Sequence, residues 1–163
     1  LGEKADGSGI PIYLQRIWWC LNNVAKGLWR EEIPYAMDML NMYLRPMLVR
    51  LLGWKAGLEY NFAISVGKSG KYLIRWLLPE MWERFLNTYP RAATEDIWAS
   101  ALEMCDLVDE ASVRIAEALG FFTTRKKRET AERFFSMSGS FLTARRVFEN
   151  ERKSDGNERS EII

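Results

Sequence analysis

Between Leu14 and Leu51 apolar and polar positions alternate with the period of a helix, and a proline divides the stretch in two. In the first half Leu14, Ile17, Trp18, Leu21, Val24, Ala25 and Leu28 recur at three- and four-residue steps, which puts them on one apolar stripe. Arg16, Trp19, Asn23, Lys26 and Arg30 follow the same period on a second stripe. Pro11 suits a first helical turn, where its missing N–H has no intrahelical partner, so a helix is predicted from there to about Glu31. Pro34 opens a second helix, with Met37, Leu40, Leu44, Met47, Leu48 and Leu51 toward the core and Tyr35, Asp38, Asn41 and Arg45 along its polar side. Pro46 cannot donate its helical hydrogen bond and crowds the preceding turn, which predicts a kink or break near Tyr43. Two such polar, aromatic-flanked stripes can line a ligand cleft, and solvated outer faces read the same way.

Further along, GWKAGLEY (53–60) reads as one or two more helical turns, and Phe62, Ile64 and Val66 alternate with small or polar residues as a short extended piece or loop. Lys71 to Leu77 reads as a short helix. Pro79 begins another, with Met81, Trp82, Phe85, Leu86 and Tyr89 on its apolar face, Glu80 and Glu83 near its positive amino end, and Pro90 closing it. Thr94 is a candidate N-cap for the longest helix, about Glu95 to Leu119, whose buried side runs from Ile97 and Trp98 through Ala101, Leu102, Cys105 and Val108 to Ile115 and Leu119. Gly120 supplies a left-handed stop. Beyond it come a basic run (125–128), candidate helices at Glu129–Phe135 and Phe141–Glu149, and a charged tail at 150–163 expected to be disordered. Residues 1–9 read as a linker or ragged end, and 10–149 as one all-α, bundle-like domain with a short loop or extended segment near 62–70.

Composition changes this picture mainly by exclusion. A net charge of +1 provides no overall field to recruit nucleic acid, and none is expected as a partner. With no histidine, a histidine general base is excluded, and Cys20 and Cys105, far apart within apolar patterns, read as buried thiols rather than a disulfide or zinc site. Asp106, Asp109 and Glu110 read as a solvent face rather than metal ligands. No apolar run reaches the roughly 18 residues of a membrane span, and no signal-peptide pattern opens the chain, so no membrane and a cytoplasmic location are expected. The chain begins with Leu1 rather than Met, which is compatible with a preceding segment.

The segment VGKSGK (66–71) looks like a phosphate loop at first sight. The P-loop requires a glycine four residues ahead of its Gly-Lys-Ser, and that position falls at Asn61 or Phe62, so the pattern fails. A glycine-bracketed segment carrying Lys68 and Lys71 is what survives; it can reach an anion or be a solvated loop.

Several of these pieces together resemble the aminoglycoside 6-adenylyltransferase family, the streptomycin-modifying nucleotidyltransferases. They are WWCLNNVAKGLWREEI, YAMDMLNMYLRPMLVRLLGWKAGLE, FAISVGKSGKYL, LLPEMWERFLNTY and IWASALEMCDL, in order across about 12–120, matching that family's C-terminal helical domain. The uncommon pairings Trp18-Trp19, Val24-Ala-Lys-Gly-Leu28, and Leu40-Asn41 followed by Arg45-Pro46 make the resemblance specific.

The resemblance implies a two-domain parent enzyme that moves AMP from ATP to a hydroxyl of streptomycin, releases pyrophosphate and confers resistance. ATP and Mg2+ belong to the complete parent, whose N-terminal nucleotidyltransferase domain carries a Gly-Ser motif followed by paired aspartates. These 163 residues hold no such arrangement, so the chain alone is expected to bind neither and to be inactive. The implied assignments are Lys26, Lys68 and Lys71 to nucleotide phosphates, where a lysine acts as a mobile point charge. Trp19, Arg30, Glu32, Asp38, Asn41 and Arg45 are implied on the aminoglycoside side, with Glu32 or Asp38 meeting a guanidino or amino group and Trp19 packing on rings. From the residues alone, Glu32, Asp38 and Arg45 read equally as a helix–helix ion network.

Two departures stand out. Gln15-Arg16 replaces the Asn-Glu pair expected before the double Trp, reversing charge on the proposed ligand stripe, and FFTTRKKRE replaces the expected tyrosine-proline ending after Gly120. They keep two alternatives open: a diverged nucleotidyltransferase-like protein acting on another small molecule, or a helical interaction module without catalysis.

Overall fold

Helix α1 (Ile10–Trp29) and helix α2 (Ile33–Asp38) are joined by a turn so tight that Glu31 adopts φ +59°. The computed structural model describes residues 9–120. The turn is closed by the Glu32 N–H donating to the Gly27 carbonyl at 2.9 Å and the Glu31 N–H to Leu28 at 3.1 Å. These bonds satisfy carbonyls that a helix end leaves open, and they end α1 at Trp29, two residues before the predicted Glu31. Gly27 is required by packing: a Cβ there would lie 2.9 Å from the Tyr35 ring and 3.2 Å from the Ala36 nitrogen. The Ala-Lys-Gly segment therefore lets α2 press against α1.

The expected break near Tyr43 is a widening of the helix instead. A π-helical segment, Met39–Leu44, carries the chain from α2 into α3 (Arg45–Glu59), and the Arg45 N–H bonds back five residues to the Leu40 carbonyl. Pro46 removes one donor and would press its ring on the carbonyl four residues earlier, and the wider turn accommodates both defects without stopping the helix.

After α3 the chain runs without regular structure through residues 63–67, makes single 3-10 turns at Lys68–Gly70 and Leu73–Arg75, and enters α4 (Pro79–Asn87) and α5 (Thr94–Leu119). The helix expected over Lys71–Leu77 is only that second 3-10 turn. Thr94 is the first residue of α5 rather than its cap, Ala93 holds the cap position, and no side-chain capping bond forms. Gly120, at φ +71°, ends α5 as expected. The described residues are all helix, turn and loop, with no strand among them, so the all-α expectation holds. Residues 1–8 of the predicted linker (1–9), the candidate helices at 129–135 and 141–149 and the charged tail lie outside the described residues.

Helix α5 packs against α3, α1 and α4, and the core lies between them. Ile17, Leu21, Leu28, Leu40, Leu44, Leu48, Leu51 and Ile97 are fully buried there, each stabilising by about 1.5–3 kcal/mol relative to exposure. Trp18, Trp82 and Trp98 pack on that core while half-buried. Leu86, Leu102 and Leu119, expected on buried faces, are exposed because their helices bury narrower stripes than the sequence period allows, and Tyr89 is exposed beyond the end of α4. Cys20 and Cys105 are buried and not joined in a disulfide, as expected.

Candidate functional site

One face of α3 and the loop that follows it enclose a cavity of about 500 Å3. Arg45, Pro46, Val49, Arg50, Gly53, Trp54 and Gly57 line it at helical spacing, with Asn41 above them on the π segment. Phe62, Ile64, Val66, Gly67 and Ser69 form the opposite wall, and Tyr89 closes one end. The volume is within the range of small-molecule sites, about 300–1,000 Å3.

Arg45 is the buried cation of this site, only 7% exposed. Its Nε and Nη2 donate to Asn41 Oδ1 at 3.2 and 3.1 Å, its Nη1 to Thr88 Oγ1 and its Nη2 to the Thr88 carbonyl, both at 2.6 Å. Its guanidinium carbon lies 3.5 Å from the centre of the Tyr89 ring. All these partners are neutral. Burial accordingly pulls the guanidinium below its ordinary value, with Tyr89 partly opposing the shift. The proposed ion network of Glu32, Asp38 and Arg45 does not form, since both carboxylates are exposed and Arg45 is committed to Asn41, Thr88 and Tyr89.

Thr88 is a junction in its own right. Fully buried, it donates its hydroxyl to the Phe85 carbonyl at 2.6 Å, and its own carbonyl accepts from Ser100 Oγ at 2.6 Å as well as from Arg45. The end of α4 is thus tied to both α3 and α5 beside the cavity. On the α3 wall Trp54 has a buried indole N–H without an acceptor, an omission that costs about 1–3 kcal/mol.

The loop wall carries backbone strain. Asn61, Phe62 and Ser69 have φ of +50°, +56° and +57°, and Gly67 and Gly70 have +69° and +76°. At Gly67 the pair φ +69°, ψ 176° belongs to a region that only glycine enters readily, and a Cβ would sit 2.7 Å from the Tyr72 ring. The loop is held by Tyr72 N–H to the Val66 carbonyl at 2.9 Å and by the Trp76 indole to the Ser65 carbonyl at 3.1 Å. A strained loop opposite a π-helical turn marks this cavity as the part of the fold where local rules are broken.

Of the residues picked out by sequence, the fold brings Asn41 and Arg45 together at the cavity. Lys68 is exposed on the loop between two lining residues, and Lys71 is exposed with its ammonium 4.7 Å from the Tyr72 ring. Trp19, Lys26, Arg30, Glu32 and Asp38 are exposed on α1, α2 and the turn between them, outside the cavity lining. Sequence reasoning missed Arg50, Trp54, Ser69 and Tyr89. The available signal was Gly53 and Gly57, four residues apart on one face of α3, which admit the loop.

The sequence model described as streptomycin adenylyltransferase matches residues 13–137, more than half of the chain. This chain belongs to the streptomycin adenylyltransferase family. Among relatives, it is 32% identical over 104 residues to the aminoglycoside 6-adenylyltransferase of Bacillus subtilis strain 168, covering 64% of this chain and 37% of the relative. It is 33% identical over 104 residues to that of Campylobacter jejuni, covering 64% and 36%, and 29% identical over 117 residues to that of Staphylococcus aureus, covering 72% and 41%. A crystal structure of an aminoglycoside 6-adenyltransferase from Bacillus subtilis matches with a TM-score of 0.75 at 25% identity, over 83% of this chain and 51% of that one. The chain therefore spans well under half the length of these curated relatives. The streptomycin adenylyltransferase match includes every cavity-lining residue.

Proposed function

We propose that this chain is the helical portion of an enzyme that transfers AMP from ATP to a hydroxyl of a streptomycin-like aminoglycoside, releasing pyrophosphate and conferring resistance. The observation that carries this reading is the family match over 13–137, which takes in both walls of the cavity. In this reading Lys26, Lys68 and Lys71 approach the nucleotide phosphates from exposed positions. Glu32 and Asp38 meet cationic groups of the antibiotic, and Trp19 packs on its rings. Arg30 completes that side, while Asn41 and Arg45 shape the pocket floor.

In such transfers magnesium polarises the attacked phosphorus and stabilises the attacking and leaving oxygens. No group of three His, Cys, Asp or Glu able to hold a metal occurs among the described residues. From the family resemblance we assign magnesium and the catalytic carboxylates to an N-terminal nucleotidyltransferase domain, and expect this chain alone to be inactive. Its own part is to bind and orient. Among the described residues no helix is long and apolar enough to cross a membrane, which fits a cytoplasmic enzyme without requiring one.

A second reading, a diverged transferase acting on another hydroxylated molecule, is favoured by exposed Arg16 on the stripe of Trp19 and Lys26. Calorimetric titration of the full-length protein with streptomycin, magnesium and a non-hydrolysable ATP analogue separates the two. The first reading expects saturable antibiotic binding that weakens on charge reversal at Asp38. Nucleotide binding without antibiotic binding supports the second.

A further inference from the structure

We infer that the cavity between α3 and the 62–70 loop takes the nucleotide and excludes the antibiotic, with Arg50 facing its phosphate, the buried charge of Arg45 behind it, and Trp54, Phe62 and Tyr89 facing its base. This rests on the transferase reading for the identity of the occupant. The two substrates of such a transfer differ in kind. A streptomycin-like aminoglycoside is a polycation without a planar apolar face; a nucleotide is a polyanion joined to a planar ring.

The cavity lining sorts between them. Among the described residues it contains Arg45 and Arg50 and no aspartate or glutamate. Arg45 is buried with only neutral partners, so a cation entering beside it meets uncompensated positive charge, whereas an anion relieves it. Ser69 adds a hydroxyl, and the apolar remainder suits a flat ring rather than a hydrated sugar. Trp54, Phe62 and Tyr89 supply aromatic faces to the lining. The exposed carboxylates Glu32 and Asp38 lie outside the lining, so the antibiotic's cationic groups have their partners elsewhere.

The test titrates the full-length protein with AMP, adenosine and streptomycin, in the wild type and in Arg50→Glu. Arg50 is exposed and Arg45→Met is the buried counterpart, with a thermal melt of each variant to establish that it folds. AMP should bind more tightly than adenosine, and Arg50→Glu should weaken AMP by about tenfold or more while leaving streptomycin unweakened. An AMP affinity unchanged in both variants overturns the assignment, and so does streptomycin competing with AMP for the Arg50-dependent site. A wild type that adenylylates streptomycin while Arg50→Glu leaves its KM for ATP unchanged overturns this inference and keeps the transferase reading. Arg50-dependent AMP binding by a protein that modifies no aminoglycoside overturns the transferase reading and supports the pocket.

Discussion

Arg45 reaches across from α3 to hold both oxygens of Thr88, each at 2.6 Å, and the same guanidinium lies over the ring of the next residue, Tyr89. One side chain thereby fixes the end of α4 against the cavity floor. The pairing depends on a planar fork, because the two bonds diverge from one carbon.

Removing the fork should cost stability before it costs anything else. Arg45→Met is expected to destabilise by about 2–4 kcal/mol, since charge-assisted bonds at a buried site are lost and Thr88 Oγ1 loses a donor. Arg45→Lys keeps the charge but not the geometry and should fall between that variant and the wild type. Urea unfolding measures both, and a loss within about 0.5 kcal/mol for Arg45→Met would place the clamp among dispensable surface contacts.

Gly67→Ala tests whether the loop wall needs its strained turn. The added Cβ meets the Tyr72 ring at 2.7 Å and the backbone pair is unfavourable for any side chain, so a cost of about 1–3 kcal/mol is expected. The loss should be accompanied by faster amide exchange at Val66 and Tyr72, which share a hydrogen bond. Unchanged exchange and stability would mean that the turn is not needed to hold the wall.

Cys20 gives a prediction in pH. Burial pushes its thiol above the ordinary 9.0, with Arg16 pulling the other way. The folded state thus holds its proton to higher pH than the unfolded chain, so this contribution is complete below the unfolded value and is lost as pH rises through the folded one. Stability should decline above about pH 9, and Cys20→Ala should flatten that part of the profile. Chemical unfolding at pH 8 and 10 checks the sign; an identical decline in the variant assigns the pH dependence to other groups.

Much of this architecture was legible beforehand, for reasons that are local. Pro11, Pro34, Pro79 and Gly120 punctuate helices through constraints intrinsic to one residue, and the buried leucines declare their period. The π-helical segment was half-legible: Pro46 announces a defect, but whether a helix breaks or widens depends on what packs against it. The cavity was least legible. Asn41 and Arg45 were recognisable on one stripe, but the stripe alone does not disclose that Arg45 turns toward Thr88, 43 residues away. Tyr89 becomes a neighbour of that site only through tertiary packing, whereas Arg50 lies on the same helix as Arg45. Conversely, Trp19 and Lys26 share a polar stripe with no part in the cavity lining; both are exposed on α1, with buried Asn23 between them.

The junction of α4 with α5 should be sensitive to salt where the Arg45 clamp is not. Arg84 pairs with Glu103 and Glu110, both at 2.7 Å, and its side chain is 33% exposed. Burial pulls its guanidinium down, but hydrogen bonds to the two carboxylates outweigh this and leave it raised. Arg84→Ala is expected to cost about 0.5–1 kcal/mol in low salt and less in high salt, with the less exposed Glu103 contributing more of the coupling. A double-mutant cycle with Glu103→Ala at two ionic strengths measures it. A coupling that ignores salt would show the network to be shielded from solvent.

The most direct measurement is product detection by mass spectrometry after the full-length protein has been incubated with ATP, magnesium and streptomycin. The account predicts streptomycin heavier by one AMP, with pyrophosphate released in equal amount. A folded full-length protein that binds both substrates and yields no adenylylated aminoglycoside would contradict it.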